Sequence, residues 1–195
     1  MNMRLVVVCA AALFPLASSP ALAATVSGKA STVVEWYESP DGGTAVPVHQ
    51  YLLLQVKDLK QEGLNFTGYG RISDDLNNEV EADSRLYYAY LEKKGIAEHL
   101  DVRAGRQFIA TTAGASIMDG LFLRYRNLGP TTVSLFGGGD VTYYKGYDAQ
   151  DLIVGGEVRA DLPADIGLAL SLVQKWEEGD ITHELIGLDA DGEKT

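Results

Sequence analysis

The stretch Ile166-Gly167-Leu168-Ala169-Leu170-Ser171-Leu172 alternates large apolar residues with small or polar ones. Because successive side chains of a β-strand point to opposite faces, a strand with this sequence carries all its large side chains on one face. A wall with lipid on one side and water on the other requires this division of side chains. The stretch therefore predicts a β-strand suited to the wall of a membrane barrel.

The same alternation recurs along the chain in short stretches of similar length. They lie at residues 26–37, 50–58, 64–72, 85–93, 100–104, 121–126, 133–137, 152–159 and 181–188. The connections alternate in length: those at 59–63, 127–130 and 161–165 are short, and those at 39–47, 73–83, 108–119 and 139–151 are long. We therefore predict an all-β fold, an antiparallel up-and-down transmembrane β-barrel with about ten strands. A secreted β-sandwich is the alternative, but its connections need not alternate in length.

The N-terminal residues have the anatomy of a cleavable leader. A basic start at Arg4 precedes an apolar core at 5–16, and Ala21-Leu22-Ala23 is a small-x-small cleavage site. We predict a signal peptide at residues 1–23 and the outer-membrane β-barrel at residues 24–195. Cys9, the only cysteine of the chain, lies inside this leader, so the mature protein is expected to lack disulfides and thiol chemistry.

The C-terminal residues suggest that the barrel is incomplete. Asp191-Gly192 is a turn signal, and a turn predicts a following strand. The sequence ends at Thr195 without the final amphipathic strand, closing on an aromatic residue, that is typical of bacterial barrels. We therefore expect an N-terminal part of a larger barrel, and a closed ten-stranded barrel is the alternative.

The charge of the chain argues against nucleic acid as a partner. With 16 Lys and Arg against 27 Asp and Glu, the net charge is −11, and such a surface repels phosphates. No haem-attachment, dinucleotide or phosphate-binding motif is present in the sequence, so no cofactor is predicted.

Basic residues dominate the polar positions of the predicted strands. The predicted lining of the lumen comprises Lys29, Lys57, Arg71, Arg85, Arg103, Arg124, Arg126, Arg159 and Lys175. A basic wall lowers the barrier to anions, so we predict a preference for anionic solutes. The alternative is that these cations neutralise acids on neighbouring strands. Trp36 and Trp176 both end outgoing strands, where an interfacial aromatic girdle is expected.

Two short motifs resemble those of bacterial outer-membrane porins and porin-like proteins. They are the aromatic-rich Tyr87-Tyr88-Ala89-Tyr90-Leu91 and the Gly105-Arg106-Gln107 at a strand end. The resemblance implies location in the bacterial outer membrane, contact with its lipid and lipopolysaccharide, and passive diffusion of small hydrophilic solutes, often through a homotrimer. It does not imply catalysis.

The sequence is also compatible with two other functions. A non-conducting barrel could sheathe a partner, such as a periplasmic electron-carrier protein. A barrel enzyme would need a nucleophile near the outer rim, where His49, His183, Asp140 and Asp151 are expected, but no nucleophile stands out and the histidines lack metal-ligand spacing. We therefore expect no enzymatic activity.

Overall fold

A computed structural model of the chain describes residues 24–59, 63–142, 149–163 and 165–192, together with the backbone of 7–12. The strands are β1 Val7–Ala12, β2 Thr25–Val34, β3 Tyr37–Glu38, β4 Thr44–Ala45, β5 Pro47–Lys57, β6 Leu64–Asp75, β7 Arg85–Ile96, β8 Leu100–Thr111, β9 Gly114–Leu128, β10 Thr131–Val141, β11 Ala149–Leu162, β12 Ile166–Glu177 and β13 Asp180–Gly192. The predicted cleavage site, residues 60–62 and 143–148 of two predicted connections, and residues 193–195 lie outside the described part.

The main sheet follows the order of the chain. Its strands run β1-β2-β5-β6-β7-β8-β9-β10-β11-β12-β13, and β3 and β4 pair separately. The pairings with a described register are antiparallel. Ten strands of this sheet follow residue 24, which confirms the predicted all-β, antiparallel up-and-down fold with about ten strands. None of the described residues forms a helix with the length and apolar character needed to cross a membrane.

The chain divides into two compact units, Met1–Ala89 and Tyr90–Thr195. In the first unit, Ala30 lies opposite Leu52 and Leu52 opposite Gly70, whereas the next row pairs Ser31 with Tyr51. Because paired residues share a face of the sheet, the first row belongs to an apolar face and the second to a polar face. The alternation predicted for these strands is therefore carried across them in register.

The two long connections of the first unit fold against each other around a buried carboxylate. Asp75 accepts hydrogen bonds from the backbone N–H groups of Val46 at 2.6 Å, Glu79 at 2.7 Å and Val80 at 3.1 Å. In addition, the Asn77 side chain donates to the carbonyl of Thr44 at 2.6 Å. Bonds from backbone donors satisfy the buried charge and fix both connections at one end of the strands.

The second unit has the same two-faced organisation. One row across five strands, which defines its apolar face, consists of Leu123, Leu135, Gly156, Leu172 and Ile186. The row that defines its polar face consists of Arg124, Ser134, Glu157, Ser171 and Gly187. Large apolar side chains are exposed on the first face, up to 73% for Ile186 and 77% for Leu188.

The predicted long connection at 108–119 is wrong, because β8 continues to Thr111 and β9 begins at Gly114. The two strands pair up to Thr111 opposite Gly114, so this segment is the end of a β-hairpin. The sequence misled because apolar residues occur at both odd and even positions here. Such a pattern arises when both faces of a hairpin are shielded from water. Apolar residues then occupy both parities, and the strand's period of two is no longer visible in the sequence.

Candidate functional site

The polar face of the second unit is covered by the end of the β8–β9 hairpin. The Thr112 backbone N–H and hydroxyl donate to Glu157 Oε2 at 2.8 and 2.9 Å. The Ala113 N–H donates to Ser171 Oγ at 2.7 Å, and a Cβ at Gly187 would overlap the backbone of both turn residues. Glu157, Ser171 and Gly187 are consecutive members of the polar row, and we call them the hairpin receptor.

A row of glycines lets the hairpin reach this receptor. Gly105, Gly120 and Gly138 lie opposite one another on β8, β9 and β10, and a Cβ at Gly120 or Gly138 would overlap backbone of the neighbouring strand. Gly105 also has a φ of 120°, which L-residues rarely adopt. The fully buried Gln107 donates from Nε2 to the Gly120 carbonyl at 3.0 Å. The sheet can therefore bend sharply at this row.

A small hydrophobic core fills the space between the hairpin and the sheet. Its buried members are Ile109, Met118, Phe122, Phe136, Ile153 and Val173, with Ala113 and Leu185 packed against them. Met118 is 0% and Ile153 1% exposed. Burying apolar side chains is the main favourable contribution to folding. This core and the hairpin receptor therefore hold the hairpin against the sheet.

The predicted lining residues of the second unit share its polar face. Arg103, Arg124, Arg126, Arg159 and Lys175 occupy positions of one parity in the paired strands. Most of them lie beside carboxylates: Arg126 and Asp101 at 2.8 Å, Arg159 and Glu157 at 2.6 Å, Lys175 and Asp140 at 2.9 Å, and Arg103 and Glu92 at 3.9 Å. The cations are therefore largely neutralised, as the alternative interpretation of the sequence expected.

Arg124 differs from these paired cations. Its guanidinium lies 5.2 Å from the centroid of the Phe122 ring, and the Arg103 guanidinium lies 4.7 Å from the same centroid. Within the described residues, Arg124 has no carboxylate within ion-pair distance, and its side chain is exposed. This stacking on an aromatic ring holds the guanidinium without neutralising it.

The basic residues of the first unit are arranged differently. Lys29, Lys57 and Arg71 lie on the polar face, where Arg71 donates to the Asp83 carbonyl at 2.9 Å. Arg85 lies 3.7 Å from the Asp83 carboxylate. Lys29 and Lys57 are exposed, and neither has an ion-pair partner in the described part of the chain. The predicted residues of the first unit thus include exposed cations without an acidic partner as well as paired ones.

Stacked tyrosines form a second feature of the first unit's polar face. The rings of Tyr51 and Tyr69 have centroids 6.3 Å apart and planes inclined by 20°, and those of Tyr69 and Tyr87 are 5.0 Å apart and inclined by 22°. Tyr88 lies 5.5 Å from Tyr69 in a tilted arrangement. We call Tyr51, Tyr69 and Tyr87 the tyrosine row. The aromatic strand is evident in the sequence, but the stack is not, because it depends on how the strands pair.

An ion pair marks the other side of the folded hairpin. Arg106 contacts Asp119 with both nitrogens of a bidentate pair, Nε to Oδ1 at 2.8 Å and Nη2 to Oδ2 at 2.7 Å. Asp119 lies opposite Gly139, in the parity that belongs to the apolar face elsewhere in β9. A charged pair is unsuited to lipid contact, so the apolar face of β9 is interrupted at this row, before Phe108 and Ile117 restore apolar residues at the next.

Trp36 and His49 belong to the first unit, and Trp176 and His183 to the second, where His183 lies opposite Lys175 and Asp140 opposite Asp151. Trp36 is 62% exposed beyond the end of β2, and Trp176 lies opposite Leu152 near the end of β12. His49 contacts Ser73 and His183 contacts Thr182, each through Nδ1. In the described part of the chain, no three His, Cys, Asp or Glu side chains group as metal ligands would.

No protein-family model matches this chain, and comparison with curated proteins and with solved structures finds no match. The resemblance to porins therefore stays a prediction. The fold defines a class of protein without these comparisons, namely an antiparallel sheet with an exposed apolar face and a charged polar face. A hairpin covers part of the polar face in the second unit.

Proposed function

We propose that the chain supplies the wall of an outer-membrane channel through which small hydrophilic solutes diffuse passively. The observation that carries this proposal is the division of each unit into two faces. Apolar side chains that are more than half exposed, such as Leu135, Leu170 and Leu188, need an apolar surrounding, and the hydrocarbon of a bilayer provides it. The charged and hydroxyl-bearing face then borders water.

The folded hairpin supports a restricted channel rather than an open one. A segment held on the polar face takes up space that solutes would otherwise use, and the Arg106–Asp119 pair then lies where polar groups are solvated. We propose that the hairpin narrows the aqueous path and excludes larger solutes. In this account the predicted preference for anions depends on the exposed, unneutralised cations Lys29, Lys57 and Arg124.

Planar-bilayer recording from the folded protein tests the proposal. Stable ohmic steps, with a reversal potential under a salt gradient that favours chloride, are the expected result. The control is a bilayer that receives the same detergent without protein, in which the baseline must stay silent. Steps that favour potassium would contradict the anion preference, and silence from protein shown by circular dichroism to be folded would contradict the channel.

The hairpin also favours a second candidate, a non-conducting barrel. Its turn is fixed by hydrogen bonds of 2.7 to 2.9 Å, and a core of large side chains lies beneath it. Such a segment closes part of the polar face permanently. Recording from a variant whose hairpin is released distinguishes the two: a restricted channel conducts before and after release, whereas a closed barrel conducts only after it.

A further inference from the structure

We propose that the polar face of the first unit binds a small ring-shaped solute that carries a carboxylate, at the end of the tyrosine row on β2. This inference deepens the proposed function, since it names a class of solute for the same polar face. It depends on the tyrosine row, on the residues opposite its last ring and on one exposed cation.

The spacing of the tyrosine row is set by the sheet. Neighbouring strands lie about 4.7–4.9 Å apart, which is close to the 5.0 Å between the Tyr69 and Tyr87 centroids. Tyr51 lies diagonally from Tyr69 on the neighbouring strand, and their centroids are 6.3 Å apart. Rings on adjacent strands can therefore stack face to face along the hydrogen-bonding direction. Tyr69, the middle ring of the row, has a neighbouring ring on each side. Only a ring at the end of the row has a face without a ring beside it.

Tyr51 is the terminal ring on the β2 side. β6, which carries Tyr69, lies on one side of β5, and β2 lies on the other. Directly opposite Tyr51 on β2 is Ser31, a side chain too small to cover a ring. Val33, an apolar residue, lies two residues further along the same face. The next position of the stack, on β2, thus carries no aromatic side chain.

Lys29 supplies the charge selectivity of this position. It lies two residues from Ser31 on the same face, is exposed, and has no ion-pair partner in the described part of the chain. A ring stacked on Tyr51 over Ser31 places a ring substituent within reach of the flexible lysine side chain. A carboxylate at that substituent gains a charge-assisted contact, whereas a neutral ring gains stacking alone.

Two kinds of solute share this chemistry, namely aromatic acids and sugar acids. Saturation-transfer NMR on the folded protein in detergent distinguishes them with benzoate and glucuronate as probes, beside glucose, which lacks the charge, and acetate, which lacks the ring. Binding of benzoate, glucuronate or both, with acetate at least about threefold weaker, is the expected result. Acetate binding as tightly as the ring carboxylates would overturn the proposal, as would no binding at all.

Variants locate the site. Tyr51→Ala removes the stacking surface, and Ser31→Tyr fills the empty position with a ring from the chain itself, so each should weaken binding by about three- to tenfold. Tyr51→Phe should retain binding because it keeps the ring. The matched control, Tyr125→Ala, removes a tyrosine from the apolar face of the other unit and should change nothing. Unchanged binding in both Tyr51→Ala and Ser31→Tyr would overturn the proposal.

Lys29→Gln tests the charge. It should lower the affinity for benzoate or glucuronate to that for the corresponding neutral ring, and equal affinity in wild type and variant would overturn the role of Lys29. The readout is equilibrium binding and needs no membrane transport. A protein that binds the solute but does not conduct would therefore contradict the proposed channel and not this site, and the converse result would contradict the site alone.

Discussion

The polar faces of the two units share the same alternating sequence pattern, but their side chains make different contacts. In the first unit, Tyr51, Tyr69 and Tyr87 stack side by side, and Lys29 is exposed beside them. In the second unit, the hairpin turn at Thr112 and Ala113 contacts the polar row, and a hydrophobic core is buried between the hairpin and the sheet. Alternation therefore decides which face is polar, whereas the placement of glycines and aromatic residues decides what that face can contact.

The largest expected effect concerns the core that distinguishes the second unit. Met118→Ala removes a fully buried side chain that contacts both hairpin and sheet, so the free energy of unfolding should fall by about 2–5 kcal/mol. Leu121→Ala, on the exposed apolar face of the same strand, leaves no enclosed cavity and should cost clearly less. Urea unfolding followed by tryptophan fluorescence measures both variants. Equal losses would show that the hairpin core is not enclosed.

Displacing the hairpin should uncover the polar face of the second unit, so that it is open like the polar face of the first unit. In Gly187→Val, new side-chain atoms collide with the backbone of Thr112 and Ala113, and overpacking of this kind costs about 1–3 kcal/mol. Gly192→Val in the same strand is the control, because a Cβ there makes only contacts of 3.8 Å or more. Limited proteolysis should cut the hairpin in the first variant and not in the second. Equal resistance would contradict the described position of the turn.

The charge of the receptor makes a smaller contribution. Glu157→Gln keeps the shape of the side chain but weakens its bonds with Thr112 and with Arg159, so a loss of about 1 kcal/mol is expected. Glu184→Gln, which changes an exposed carboxylate on β13, should fall within about 0.5 kcal/mol of wild type. Thermal unfolding of the paired variants provides the comparison. A larger loss in Glu184→Gln would remove Glu157 from its assigned role.

The smallest effect falls on ion selectivity and leaves stability unchanged. Arg124→Gln removes an exposed cation without an acidic partner and should reduce the anion-to-cation permeability ratio, roughly by half. The double variant Lys175→Gln with Asp140→Asn removes an ion pair and no net charge, so its ratio should stay close to that of wild type. Reversal potentials under a salt gradient measure both. A greater change in the double variant would contradict the importance of Arg124.

Sequence alone could predict the strands and their faces. The rows through Leu172 and through Ser171 follow directly from alternation, because one parity of each strand pairs with one parity of the next. The predicted basic residues also fall on the polar faces. Their neutralisation was one of the two interpretations of the sequence, but the acid beside each cation depends on register, as with Asp140 and Lys175.

The folded hairpin could not be predicted from alternation. Its best signal was the glycines, because Gly105, Gly120 and Gly138 are far apart in sequence and become one row only when β8, β9 and β10 pair. Apolar residues break the period of two at 108–119, and this break predicted a connection where the hairpin lies. Tertiary packing of Ile109 and Met118 against the sheet explains that break, and it is invisible without the fold.

Spin-label accessibility at neighbouring residues of β10 tests whether the sheet has one face toward lipid and one toward water. Leu135 belongs to the exposed apolar face and Ser134 to the polar face of the same strand. Single cysteines at 134 and 135, introduced after Cys9 is replaced, are labelled in protein folded into lipid vesicles. The label at 135 should be accessible to oxygen and shielded from a water-soluble nickel complex. The label at 134 should show the smaller oxygen-to-nickel ratio. Equal ratios at the two positions, or the reverse order, would contradict a wall with lipid on one side and an aqueous path on the other.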